Sequence, residues 1–189
     1  DFVLGYFDEY SIDRWSSPFS SQNFCEDYEF LFKWLLDDPS IAMVFKPKRS
    51  QMLLQRLSRI SNLMDDALQT GRCRFLLSDY HSGNIYPSQA ALMSDMCVGL
   101  LSSPTAGLEA RLSGTPTVLV DTRLEPNHPI LSWGTGSVVF KDWHSIRKAV
   151  ELYRKVPTSS GNFGDWSDGL SSLEGFSDGG GTIRMGQVI

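Results

Sequence analysis

Apolar residues recur along the chain in two spacings that alternate with each other. Short apolar runs at Phe2–Phe7, Ile41–Phe45 and Cys73–Leu77 are typical of strands buried on both faces of a sheet. Between them, apolar residues at helical spacing predict helices at Glu26–Leu36 and Met52–Leu68. Strands that alternate with helices in this way indicate a parallel sheet with right-handed crossovers.

The same alternation continues through the second half of the chain. The predicted elements there are a short helix, three strands and a final amphipathic helix, at Pro87–Met93, Met96–Leu101, Pro116–Val120, Ser137–Phe140 and Trp143–Tyr153. Residues 1–156 are therefore predicted to form an α/β domain, a Rossmann-like parallel sheet of about six strands with helices on both faces. Residues 157–189, rich in Gly, Ser and Asp, are predicted to form a carboxyl-terminal arm that packs on the domain or on a partner.

The segment from Asp95 to Asp121 carries the most specific pattern. It is predicted to form a strand, a turn of small residues, a short helix that ends at Gly114, and a second strand. The turn, Ser102–Thr105, offers a hydroxyl N-cap and a proline just inside the helix start. Free N–H groups and the helix dipole at such a start attract anions. The alternative is a plain βαβ crossover with no ligand.

Composition and charge exclude several classes of protein. The 189 residues suffice for one full domain, and the net charge of −5 comes from acids and bases mixed along the chain, which does not favour a nucleic-acid surface. No apolar stretch approaches the roughly 20 residues that span a bilayer. The three histidines and three cysteines lack metal-ligand spacing, so no metal site is predicted. The cysteines also lack the spacing of disulfide pairs, which predicts a reducing, cytoplasmic location.

The first residues, DFVLGYFDEY, lack the basic region of a signal peptide, and the chain begins abruptly with a strand. We therefore expect the chain to be a fragment or to have an upstream portion on another chain.

Three common catalytic or nucleotide motifs are absent: no GxGxxG follows the first strand, and neither GxxxxGK[ST] nor GxSxG occurs. Dehydrogenase-type dinucleotide binding, a P-loop and a nucleophile elbow are thereby disfavoured.

Ligands of such sheets bind beyond the carboxyl ends of the strands. Lys46 and Lys48 flank Pro47 at the end of the second strand, and a pair of ammonium groups beside a helix start suits a diphosphate. The alternative is a solvated basic turn. Glu109 lies one turn into the helix and is a candidate acceptor for ribose or sugar hydroxyls. The alternative is a structural role, as a favourable helix charge or as a partner for Arg111 or for a basic residue across the cleft. The loop residues Asp8, Glu9, Asp79 and His81 are candidate acids or bases, or ordinary turn residues.

The stretch DMCVGLLSSPTAGLEARLSGTPTVLVD resembles a signature in the carboxyl-terminal domain of GT-B glycosyltransferases, and within them it is most similar to bacterial surface-polysaccharide transferases. VLGYFDE near the start, FKPKR after the second strand and the closing FSDGGGTIRMGQVI are also similar to that group. The resemblance implies two Rossmann-like domains in the whole enzyme, with the nucleotide sugar held mainly by the second. It also implies that no metal or other cofactor is needed.

The resemblance assigns site residues by position. It implies contacts to the donor diphosphate from Lys46, Lys48, Ser103, Thr105, Ala106 and Gly107. Glu109 would bind the ribose or the donor sugar. The loop that contains Asp79, His81 and Ile85 would border the nucleobase. No catalytic residue is assigned.

Two departures from the family pattern bear on activity. Many retaining members carry a spaced glutamate pair, but Thr117 stands eight residues after Glu109. The amino-terminal, acceptor-binding domain is also missing from this sequence, so we expect it on another part of the protein or on a partner subunit, through which the chain could associate peripherally with a membrane. The alternatives are an enzyme similar to nucleotide-sugar epimerases and a degenerate, non-catalytic binding module.

Overall fold

The computed structural model describes residues 1–9, 20–78, 84–156, 161–173, 180 and 183–184. Within them lies a six-stranded, wholly parallel sheet in the order β3-β2-β1-β4-β5-β6. The strands are β1 Phe2–Phe7, β2 Ile41–Lys46, β3 Cys73–Phe75, β4 Met96–Leu100, β5 Thr117–Val120 and β6 Val139–Phe140. Across the sheet, β1, β2 and β3 succeed one another toward one edge, and β4, β5 and β6 succeed one another toward the other edge. The strand order therefore changes direction between β1 and β4. The predicted Rossmann-like sheet is thus confirmed.

Seven α-helices connect or flank these strands in the described part of the chain. They are α1 Ser21–Asp37, α2 Leu53–Arg56, α3 Ser61–Gln69, α4 Pro87–Ala91, α5 Thr105–Leu112, α6 Trp143–Lys155 and α7 Ser167–Leu173. Two 3₁₀ helices lie at Ser58–Ile60 and Pro129–Trp133. Most helix and strand positions therefore match the prediction, with ends that shift by a few residues.

Helices cover both faces of the sheet because successive strand residues point to opposite sides. Met43 and Phe45 of β2 belong to the large core that α1, α3 and α6 complete. Val44, between them, points to the other face and packs with the alanines of α4 and α5. This division explains why the strands are continuous apolar runs rather than alternating ones.

The predicted helix over Met52–Leu68 is wrong as a single element. Met52 has a left-handed backbone (φ 64°), and a 3₁₀ turn separates α2 from α3. At that turn the Ile60 N–H donates to the Leu57 carbonyl at 2.9 Å, while the Arg56 carbonyl accepts from the Cys25 thiol of α1 at 3.0 Å. A tertiary contact has therefore replaced a helical hydrogen bond that the spacing alone predicts.

Part of the segment beyond residue 156 packs on the sheet. The Trp166 side chain is fully buried between α5 and the 3₁₀ helix Pro129–Trp133, with its ring centroid 5.8 Å from that of Trp133. Its indole N–H donates to the Thr117 carbonyl of β5 at 2.7 Å. Phe163 contacts Phe140 and Tyr153. These residues extend the core beyond β6.

Candidate functional site

The carboxyl ends of β1, β2 and β4 meet where the strand order reverses. Phe7 at the end of β1 is in register with Lys46 at the end of β2, and Tyr6 is in register with Val98 of β4. The chain leaves β4 through Leu101–Pro104 and enters α5 directly above this point. Crevices at such reversals are the usual ligand sites of open parallel sheets.

A cavity of about 250 Å³ opens at this position. It is lined by Phe7, Asp8, Lys46, Lys48, Pro87, Ser103, Thr105, Ala106 and Glu109. Pockets that bury a whole drug-sized ligand measure roughly 300–1,000 Å³. The cavity therefore has room for a diphosphate-sized part of a ligand. The structure brings together six of the ten predicted site residues there; whether they contact a diphosphate remains a prediction.

The two lysines differ in exposure. Lys46 is 9% exposed, and its ammonium donates to the Pro47 carbonyl at 2.8 Å. Burial lowers the pKa of Lys46, whereas the nearby carboxylates of Asp8 and Glu109 oppose that change. The Lys48 side chain is 53% exposed and forms an ion pair with Glu9 at 2.5 Å. Lys46 is therefore the buried cation of the cavity, and Lys48 stands at its rim.

The start of α5 differs from the prediction in one respect. Neither Ser102 nor Ser103 caps the helix: Pro104 occupies the cap position with a nearly helical backbone (φ −77°, ψ −8°) and no side-chain cap bond. The Ser102 hydroxyl is instead buried, without a hydrogen-bond partner in the described part of the chain. No side chain caps α5, and the first two residues of the helix, Thr105 and Ala106, line the cavity, so the uncapped first turn lies at the cavity wall.

Gly107 lies where α5 packs against β5. A Cβ there would stand 2.9 Å from Leu119 and 3.5 Å from Trp166. Gly107 does not line the cavity, and its lack of a side chain is explained by the close approach of α5 to β5. A contact between its backbone N–H and a diphosphate stays a prediction.

Glu109 has a structural partner that the sequence did not reveal. Its Oε1 accepts the Ser88 backbone N–H at 3.0 Å, and Ser88 is the second residue of α4. The carboxylate therefore satisfies an amide in the first turn of a neighbouring helix, while it also acts on Lys46 across the cavity. The effect on Lys46 agrees with one of the structural roles that the sequence allows for Glu109, a basic partner across the cleft.

We expect Glu109→Ala to lower the free energy of unfolding by about 1 kcal/mol, because the Ser88 N–H loses its acceptor as an N-terminal helix amide does without its cap. Glu109→Gln keeps a carbonyl oxygen in place and should retain most of that stability. Urea unfolding of the two variants measures the difference. Equal midpoints for Glu109→Ala and the unmodified chain would contradict the capping role.

A buried polar network lies beside Tyr6, near the end of β1. The Asp27 carboxylate of α1 pairs with Arg123 at 2.7 Å and accepts the Trp143 indole N–H at 2.8 Å. Both members of this ion pair are more than nine-tenths buried. Tyr6 packs edge-on against Trp143 and Tyr28, with ring centroids 5.4 and 5.5 Å apart. The end of β1 is thereby fixed against α1 and α6.

The predicted nucleobase loop is only partly described. Asp79 and His81 lie outside the described residues. Ile85 is half-buried, and its N–H donates to the Ser78 hydroxyl at 3.2 Å. The Ser78 N–H in turn donates to the Ser50 hydroxyl at 2.8 Å, which ties the segment after β3 to the one after β2. Ile85 does not line the described cavity.

Two further observations concern the described residues only. They include no group of three or more His, Cys, Asp or Glu side chains arranged to hold a metal ion. None of their helices has the length and apolar character needed to cross a membrane.

Comparison with known proteins bears on the fold. No known family profile and no curated protein sequence matches the chain. Among solved structures, Anabaena HepE in complex with UDP and glucose is similar over 92% of this chain and 44% of its own, with 13% identity and a TM-score of 0.58. The CMP-Kdo binding carboxyl-terminal domain of WaaA from Acinetobacter baumannii is similar over 87% of this chain and 86% of its own, with 12% identity and a TM-score of 0.54.

At this level of identity the similarity shows that the chain shares its fold with these two proteins. The resemblance noted from the sequence is thus confirmed for the architecture. The chain spans less than half the length of HepE and most of the WaaA domain.

Proposed function

We propose that this chain is the donor-binding half of a GT-B glycosyltransferase in surface polysaccharide biosynthesis, and that it binds a nucleotide sugar. The observation that carries the proposal is the cavity at the strand-order reversal, where the buried Lys46 ammonium faces the uncapped start of α5. The similarity to domains crystallised with UDP and glucose, or described as CMP-Kdo binding, supports the same ligand class.

The proposed binding mode places the two phosphates between Lys46 and the first turn of α5. Lys46 donates charge-assisted hydrogen bonds, while the α5 amides and dipole contribute from the other side. Ser103 and Thr105 line the same wall and add hydroxyl donors. Lys48, at the rim of the cavity, would give up its hydrogen bond to Glu9 and donate to a phosphate oxygen instead. These groups would stabilise a leaving diphosphate without a metal ion.

In this proposal, transfer of the sugar requires an acceptor-binding half in addition to the donor-binding half. The acceptor-binding half belongs to another domain of the protein or to a partner subunit, with which a cytoplasmic enzyme would be assembled. A reaction with a nucleotide sugar in the absence of any acceptor would instead favour the epimerase-like alternative. Product analysis by chromatography separates these two outcomes.

A panel of UDP, GDP, CDP, CMP and dTDP tests donor binding directly. A matching nucleotide at about a hundred to a thousand times its dissociation constant should stabilise the folded chain by about 2.7–4.1 kcal/mol, because it binds only the folded state. Thermal unfolding measures the shift. The uncharged nucleosides at equal concentration serve as the control, and they should give a much smaller shift. The proposal fails if no nucleotide in the panel raises the melting temperature.

A further inference from the structure

Asp8 stands in the wall of the cavity, directly after β1. Its side chain is buried, and each carboxyl oxygen has a fixed donor: the Tyr28 hydroxyl at 2.7 Å from Oδ2 and the Lys48 backbone N–H at 2.6 Å from Oδ1. These two bonds join α1 and the segment after β2 to the end of β1. The carboxyl group is therefore held rigidly beside Lys46 and opposite the start of α5.

Charged and titratable groups face Asp8 from several elements. Lys46 of β2 provides the nearby positive charge, whereas Glu9 adds a negative one. Tyr28 of α1 and Tyr6 of β1 pack beside it as neutral phenols, whose pKa values burial raises well above the usual range. Two further carboxylates act on neighbours of Asp8 rather than on Asp8 itself. Asp27 of α1 raises the pKa of Tyr6, and Glu109 of α5 raises that of Lys46.

An ionised carboxylate is unfavourable in a cavity that receives a phosphate, because the two like charges repel each other at short range. Burial already favours the neutral acid: it raises the pKa of Asp8 to about 7, although the bonds from Lys48 and Tyr28 and the charge of Lys46 act against it. Each carboxyl oxygen has a second lone-pair position beyond the one that its donor uses. A proton can therefore be carried on the cavity side without loss of either bond.

We propose that Asp8 is a ligand of the bound diphosphate in its protonated form, and that its O–H donates a hydrogen bond to a phosphate oxygen. The inference rests on the proposed function, since it assumes a diphosphate in this cavity. The proton comes from solvent, so each binding event takes up one proton wherever free Asp8 is ionised. Asp8, although an acidic residue, thereby binds an anionic ligand.

The pH dependence follows from this linkage. Below the pKa of free Asp8 the site is already protonated, and affinity is constant. Above it, free Asp8 loses the proton that the complex retains, so affinity falls by up to about tenfold per pH unit. Asp8→Asn carries a permanent N–H donor and no charge. It should bind equally well from about pH 6 to about pH 8.5, and at the upper end about thirtyfold more tightly than the unmodified chain.

Isothermal titration calorimetry with UDP-glucose and GDP-mannose tests the inference, because their diphosphate diesters do not titrate in this range. The matched control is Asp121→Asn, another buried aspartate at the carboxyl edge of the sheet, which accepts the Glu125 N–H at 3.0 Å and does not line the cavity. It should keep the pH dependence of the unmodified chain. Titration of the unmodified chain in two buffers of different ionisation enthalpy reports proton uptake independently of any variant.

The outcomes separate the two proposals. If neither sugar nucleotide binds at any pH and the nucleotide panel also fails, the proposed function is wrong and this inference falls with it. If binding occurs without proton uptake, or Asp8→Asn binds more weakly at every pH, Asp8 is a structural residue and only this inference is overturned. If Asp8→Asn retains the fall in affinity, the proton belongs to another group, Lys46 above all, and the assignment to Asp8 is wrong.

Discussion

Replacement of Lys46 by methionine should lower the affinity for a nucleotide sugar by about a hundredfold. A hydrogen bond to a charged group contributes about 1.5–3 kcal/mol, and the upper part of that range applies to an ammonium shielded from water. Lys46 fits this description because it is 9% exposed. Methionine keeps the apolar length of the side chain, so the core around the end of β2 should stay packed.

Calorimetry below pH 7 measures the loss under conditions that keep Asp8 largely neutral in both proteins. Lys141→Met is the matched control, because Lys141 follows β6 at the same edge of the sheet but is exposed and outside the cavity. Lys48→Met should reduce affinity only severalfold, since a half-exposed ammonium contributes about 1 kcal/mol or less. Equal affinities of Lys46→Met and Lys141→Met would refute the buried-cation role.

Replacement of Trp166 by alanine should lower the free energy of unfolding by about 3–5 kcal/mol, the usual effect of removing a large buried aromatic side chain. The indole is fully buried, and its loss would leave both a cavity beside Leu119 and an unpartnered Thr117 carbonyl. Trp166→Phe keeps most of the volume and should cost about 1–3 kcal/mol through the lost hydrogen bond.

Urea unfolding monitored by circular dichroism gives these values, with Leu152→Ala as a control on the exposed face of α6. The control should change stability by about 0.5 kcal/mol or less. A loss below about 1 kcal/mol for Trp166→Ala would mean that residues 161–173 do not fold with the sheet, contrary to the packing described above.

Much of the fold follows from local sequence patterns. The run Met96–Leu100, the helix Thr105–Leu112 and the strand Thr117–Val120 could be located because spacing, proline and glycine all act within a few residues of each other. Parallel topology then places every strand's carboxyl end at one edge. For that reason the sequence alone assigns Lys46 and Glu109, which are distant along the chain, to the same site.

What the sequence did not reveal depends on tertiary contacts. The break in the Met52–Leu68 helix depends on a thiol of α1 that bonds to the Arg56 carbonyl. The burial of Asp8 depends on Tyr28, twenty residues further along the chain, which has no recognisable motif. Gly107 was predicted as a diphosphate contact from its motif, yet its lack of a side chain is explained by Leu119 on the neighbouring strand. Such dependences become visible only when both partners are placed.

The shortness of the outermost strands has a practical consequence for these experiments. β3 has three residues and β6 has two, and the outward-facing Val139 carbonyl already accepts the Gly136 N–H at 2.7 Å. Long, unpaired strand margins are templates on which separate molecules join into aggregates. With so little open backbone at either margin, this chain should remain monodisperse at the concentrations that calorimetry requires, which dynamic light scattering can verify before any ligand is added.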